Sequence, residues 1–145
     1  MTNRLFNSPY EMQLHLTLLM SKIDRPVSLE KLVALDFITV YGAEFGVSDK
    51  NLHGDSLFRF SEIASKRDQA HEAIRMMAKA GIISIQINDG YVFSLSDIGR
   101  QYAESFTGMY AEEYRLYSEA SVKEYAEYTE KVLMKMIQNK SVGRR

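Results

Sequence analysis

Read for periodicity, the chain divides into blocks of apolar residues at helical spacing, separated by prolines, glycines and short polar runs. Asn7-Ser8-Pro9 combines a capping side chain with a proline pre-set for a first helical turn. Met12, Leu16 and Leu19-Met20 then recur at helical spacing, and Arg25-Pro26 stops the run. Val27-Ser28 suits a very short extended piece. Ser28 can cap a second helix with the apolar stripe Leu29, Leu32, Val33, Phe37 and Val40, which Gly42 and Gly46 end. Residues 47–60 are rich in Asp, Asn, Ser and Gly and read as a loop. Ser61 caps a third helix that ends near Gly81, with Ile63, Ala70, Ile74 and Met77 on one face.

The period then changes from helical to alternating. Ile83-Ser84-Ile85-Gln86-Ile87 alternates, Asn88-Asp89-Gly90 can turn tightly, and Tyr91-Val92-Phe93-Ser94-Leu95 returns, which predicts a β-hairpin. Ser96 caps a helix through Phe106, Gly108 punctuates, and one long helix is predicted from about Met109 to Gln138, ahead of a basic end, Gly143-Arg144-Arg145. The segment from Gly90 to Arg100 is similar to the second wing strand and following helix of winged-helix domains, where a "y-x-L-T/S-x-x-G" pattern leaves the sheet. The expected fold is therefore mainly α with a small β-hairpin. It comprises a winged helix-turn-helix core over residues 1–107 and a long C-terminal helix with a basic tail over 108–145.

Composition narrows the function classes. Apolar residues make up 46% of the 145, enough for a core, and charged residues 26% with a formal net charge of −1. A dedicated nucleic-acid binder more often shows a basic excess. With no cysteine, disulfides and thiolate metal sites are excluded. No stretch approaches the ~18–20 unbroken apolar residues of a membrane helix, and Met1 to Asn7 lacks the apolar core of a signal peptide. The expectation is a cytoplasmic protein with no membrane contact.

In DNA-reading winged helices the third helix enters the major groove. Its outward face here carries Glu62, Asp68, Gln69, Glu72, Arg75 and Lys79, with Arg67 near the apolar stripe and Lys66 on its flank. Lys66, Arg67, Arg75 and Lys79 are the candidate DNA contacts; the plainer reading makes them solvated charges of an amphipathic helix. Carboxylates on that face oppose phosphate, and the hairpin turn is acidic too, which weakens a sequence-reading role.

Catalytic chemistry finds few candidates. No nucleophile elbow, phosphate-binding glycine loop or zinc-protease motif is present. Asp49, His53 and Asp55 share one loop, but their spacing matches no established metal site and suits turn chemistry. No enzyme and no cofactor is expected.

Tyrosine usage is skewed. Tyr110, Tyr114, Tyr117, Tyr125 and Tyr128 fall with Val132 on one arc of the predicted long helix, opposite Glu112, Glu119, Lys123, Glu127 and Glu130. Tyrosine joins a large apolar ring to a hydroxyl that needs a partner, and it is enriched in interface cores. Two readings stand: a helix packed back on its own domain, or a docking or homodimerisation surface.

Motifs along the chain resemble those of the middle components of ABC-three-component systems. The opening Arg4-Leu5-Phe6-Asn7-Ser8-Pro9-Tyr10-Glu11 is similar to the start of that family. Leu29 to Phe37, with Leu32 and Asp36, matches a "L-x-x-L-V-x-L-D-[YF]" pattern. Asn51-Leu52-His53-Gly54 is similar to its "S-L-H-P" loop, with Gly54 in place of proline and Ser48–Lys50 in place of a glycine-rich stretch. Arg67 to Ile82 is a looser match. The resemblance implies a small adaptor between an ATPase, of the type related to structural-maintenance-of-chromosomes proteins, and an effector encoded nearby. Such systems include Lamassu-type antiphage defence, and any DNA contact would occur within the complex. The competing hypothesis is a stand-alone dimeric winged-helix transcriptional regulator.

Overall fold

The computed structural model describes residues 9–52 and 62–143, with side chains as far as 140. The elements are α1 (Pro9–Met20), α2 (Leu29–Val40), a 3-10 turn (Gly42–Phe45), α3 (Glu62–Lys79), β1 (Ile83–Ile87), β2 (Tyr91–Leu95), α4 (Asp97–Ser105), α5 (Met109–Tyr125) and α6 (Glu130–Gly143). The described residues are mainly helical with one antiparallel hairpin, as the periodicity predicts.

α2 lies at the centre. From Leu32 to Val40 every residue is buried, and α1 is buried from His15 to Met20. A helix covered on all sides has to be apolar nearly all round, and α3, α5 and α6 all pack against α2. The start of α2 is set by Ser28, whose Oγ accepts from the Lys31 N–H, a cap worth about 1 kcal/mol.

The hairpin forms over the predicted strands, with Ile83 opposite Leu95, Ile85 opposite Phe93 and Ile87 opposite Tyr91. Its turn places Asp89 at φ 57° and Gly90 at φ 106°, a region that aspartate tolerates and glycine enters freely. The short extended piece expected at Val27-Ser28 is a single bridge from Val27 to Phe93 on the outer side of β2. Gly99, the glycine of the "L-S-x-x-G" pattern, has a steric reason. A Cβ there would lie 2.0 Å from the Ile82 carbonyl oxygen, so α4 crosses the base of β1 closely only without a side chain.

One expectation is corrected. The long helix predicted over 109–138 is two helices, interrupted at 126–129. Thr129 begins the second: its Oγ1 accepts from the Val132 N–H and its carbonyl from the Leu133 N–H. The physical reason is burial, since the turn returns α6 to α2 and seals Leu133 and Ile137 in the core. An uninterrupted helix of that length would extend about 45 Å and carry these side chains away from the body. Arg25 pins the corner with a bidentate pair to Glu127, and Ser28 hydrogen-bonds Glu130.

Candidate functional site

The densest chemistry lies inside the bundle. Each of four helices delivers one polar side chain to a common point: His15 from α1, Asp36 from α2, Lys66 from α3 and Tyr114 from α5, all buried. Asp36 is the hub. Its Oδ1 accepts from the Tyr114 hydroxyl (2.7 Å) and lies 2.9 Å from His15 Nδ1, while its Oδ2 accepts from Lys66 Nζ at 3.4 Å. On the far side of the ring, His15 Nε2 lies 2.7 Å from the Tyr110 hydroxyl and 3.6 Å from Glu11 Oε2. The Tyr114 ring stacks on the imidazole, with centroids 4.4 Å apart.

These partners set the protonation states. Burial alone would raise the Asp36 pKa, but the Lys66 ammonium and His15 outweigh it and hold the carboxyl well below the carboxylate range. Burial would lower the His15 pKa, yet the Asp36 charge and its contact with the ring raise it. Burial first, then Asp36, pushes the Tyr114 hydroxyl well above its ordinary value. With His15 charged, two carboxylates, Asp36 and Glu11, face two cations, His15 and Lys66, so formal charges balance. The arrangement can lock four helices together. Three of its side chains are 0% exposed and Lys66 is 1% exposed, so all four lie inside the bundle.

The α3 surface differs from the expectation. Lys66, counted among candidate DNA contacts on the flank of the helix, lies on the buried stripe between Ile63 and Ala70 because Asp36 needs a counter-ion. It has no surface to offer a phosphate. Arg67, its neighbour, is half exposed and is paired with Glu30 of α2 at 3.0 Å. Arg75 and Lys79 are exposed beside Asp68 and Glu72. Asp49 is exposed, while His53 and Asp55 lie outside the described residues, among which no group of three or more carboxylates and histidines could hold a metal ion.

A cleft of about 510 Å³ opens between the α1–α2 connection, the hairpin turn and the α5–α6 corner. Its lining mixes Arg25, Lys31 and Lys131 with Asp89 and Glu130, and Arg25 is already paired with Glu127. Nothing in that mixture selects one ligand charge.

Comparison with family models gives a match along residues 5–143 to Middle Component 2 of ABC-three component (ABC-3C) systems. The chain belongs to this family. No curated protein and no solved structure matches it.

Of the motif positions, Phe6, Asn7, Ser8 and His53 lie outside the described residues. Pro9 opens α1, Tyr10 is 74% exposed, Leu32 is buried, and the Leu52 N–H donates to the Val40 carbonyl. Asp36, the aspartate of the Leu29–Phe37 motif, is the hub of the polar centre. Sequence reasoning missed that role, although His15, Asp36 and Lys66 each interrupt an apolar stripe at helical spacing, and that was the available signal.

The tyrosines separate into two sets. Tyr114 is buried, Tyr110 packs on His15, and the Tyr125 hydroxyl donates to the Phe45 carbonyl at 2.8 Å. Tyr117 is half-buried, whereas Tyr128, inside the break, and Val132, just after it, are 40% and 45% exposed. No helix among the described residues is long and apolar enough to cross a membrane.

Proposed function

We propose that this middle component is a non-catalytic, cytoplasmic adaptor bridging the ATPase and effector of a three-component defence system directed at phage or plasmids. The observation that carries the reading is the family match over nearly the whole chain. The geometry supports it in two ways. The most concentrated polar chemistry is sealed and serves packing, and large apolar side chains remain on the surface, including Met109, Leu116, Tyr128 and Val132. The order α1, Val27 bridge, α2, α3, hairpin, α4 supports a winged-helix core. α3 lacks the cationic face that phosphate neutralisation asks for, so DNA contact comes through an ATPase related to structural-maintenance-of-chromosomes proteins.

In this reading Tyr110, Tyr114 and Tyr125 hold α5 in place, and Tyr128 with Val132, flanked by Tyr117, is the part left for a partner. Exposed aromatic and aliphatic side chains of this kind act as interface anchors. The test is co-expression with the products of the neighbouring genes and purification through a tag on this chain. A complex is expected, weakened by Tyr128→Ala/Val132→Ser. Separate elution of soluble, folded components would refute it.

A further inference from the structure

Among the described residues the outer edge of the hairpin is open, and its backbone geometry shows how it would be used. Phe93 exchanges both backbone bonds with Val27, N–H to O at 2.8 Å and O from N–H at 2.9 Å. Both groups therefore point away from β1. Across the hairpin Phe93 faces Ile85, so that rung is a non-hydrogen-bonded pair and Ile85 turns its own N–H and C=O outward. Alternation gives Ile87 and Ile83 the same orientation. The sheet has only β1 and β2 among the described residues, and nothing described pairs with the outer edge of β1.

Edges of this kind are normally blunted by a lysine, a proline or a bulge. β1 carries none of these. It reads Ile-Ser-Ile-Gln-Ile, without charge, and its residues pair one-to-one with β2. On the same face of the hairpin Ile85, Ile87 and Tyr91 are 48%, 79% and 65% exposed, continuing the buried rung of Ile83 and Leu95 out into solvent.

We propose that the β1 edge pairs antiparallel with β1 of a second copy of this chain, about a two-fold axis through Ile85. The strand is self-complementary, as an isologous contact must be. Centred on Ile85, Ile83 meets Ile87 of the other copy and Ser84 meets its Gln86, so each polar residue faces a polar one. The outward amides of Ile85 in the two copies bond to each other. Charge is complementary at both ends of the seam: Asp89 at the tip of one hairpin lies beside the base of the other, where exposed Lys79 closes α3. The result is a four-stranded sheet, β2-β1-β1-β2, with one continuous apolar face. Five residue pairs bury less than the ~1,200 Å² of a stable specific interface, so the dimer forms in the micromolar range and strengthens where an assembly holds two copies together.

Sedimentation velocity on the full chain tests this, from about 1 to about 300 µM, a span bracketing micromolar affinity. The wild type should shift from monomer to dimer across that range. Ile85→Pro removes an outward N–H and leaves the bonds to β2, and it should remain monomeric. Ser84→Lys/Gln86→Lys changes only exposed side chains and sets cations opposite one another, so it should weaken the dimer at least tenfold while the chain stays folded. Asp89→Lys should weaken it too, and Asp89→Lys/Lys79→Asp should restore it. A wild type monomeric throughout, or a dimer indifferent to Ser84→Lys/Gln86→Lys, overturns the proposal. So does a monomer whose β1 edge is needed only for capture by the ATPase or effector, since the occupant is then another chain.

Discussion

The polar centre and the hairpin break the usual partition in opposite directions. At His15, Asp36, Lys66 and Tyr114, charge and hydroxyls sit in the core; at Ile85, Ile87 and Tyr91, large apolar side chains sit in water. The first departure is resolved inside the chain, because each of these four side chains has an oppositely charged or hydrogen-bonding neighbour on another helix. The second is not resolved by any described residue. Buried charges that are mutually satisfied specify how helices meet, whereas apolar surface left exposed beside a free strand edge specifies an encounter with something else. The chemistry that looks most like an active site thus joins helices to one another, while the hairpin, like Tyr128 and Val132, leaves apolar side chains exposed.

The largest effect should come from the hub. Asp36→Ala leaves His15 and Lys66 buried without their counter-ion, a loss of about 3–5 kcal/mol by analogy with broken buried pairs. Urea or thermal unfolding reads it directly, and a loss below about 1 kcal/mol would show that the centre does not hold the fold. Next in size is Tyr114→Phe, which keeps the ring stacked on His15 and removes one hydrogen bond to a buried carboxylate. About 1.5–3 kcal/mol is expected, against almost nothing for Tyr128→Phe, a residue 40% exposed. Equal effects at the two positions would erase the division of the tyrosines into two sets.

How far the sequence discloses each region follows from how local its causes are. The hairpin and its Asn88-Asp89-Gly90 turn, the Ser28 and Ser96 caps and the stripes of α1 and α2 depend on neighbours within a few residues, and they are where the periodicity predicts them. The interruption at 126–129 depends on what Leu133 and Ile137 can reach on α2, which no window along the chain contains. The polar centre needs four helices assembled before its charges meet. Helical spacing places Arg67 near the apolar stripe and Lys66 on its flank, whereas the structure buries Lys66 against Asp36 and leaves Arg67 half exposed against Glu30. Which of two adjacent cations turns inward depends on where the facing carboxylates lie, and no window along α3 contains that.

The pH dependence is smaller and also separates the regions. The raised His15 pKa contributes stability that is complete below its unfolded value of about 6.5 and is lost as pH rises through the folded value. The depressed Asp36 pKa contributes stability present above about 3.9 and lost as pH falls through its folded value. Unfolding free energy should therefore be greatest between about 4 and 6.5 and decline on the alkaline side. His15→Gln should flatten the alkaline limb, while substitutions in the hairpin leave the profile unchanged. The smallest effect belongs to the exposed strand: Ile87→Ser should alter monomer stability by no more than about 0.5 kcal/mol while weakening self-association. A large loss of stability there would mean that the hairpin face is core.

The central claim, that the sealed centre is structural and the chain works through its surfaces, is tested most directly by Lys66→Met in the reconstituted three-component complex. The variant keeps a long side chain in the same space and removes the ammonium beside Asp36. With ATP hydrolysis and effector output measured at a temperature where the variant is folded, the account predicts normal assembly and wild-type activity. A folded, fully assembled complex that has lost its activity would contradict it, because the buried charges would then take part in the chemistry.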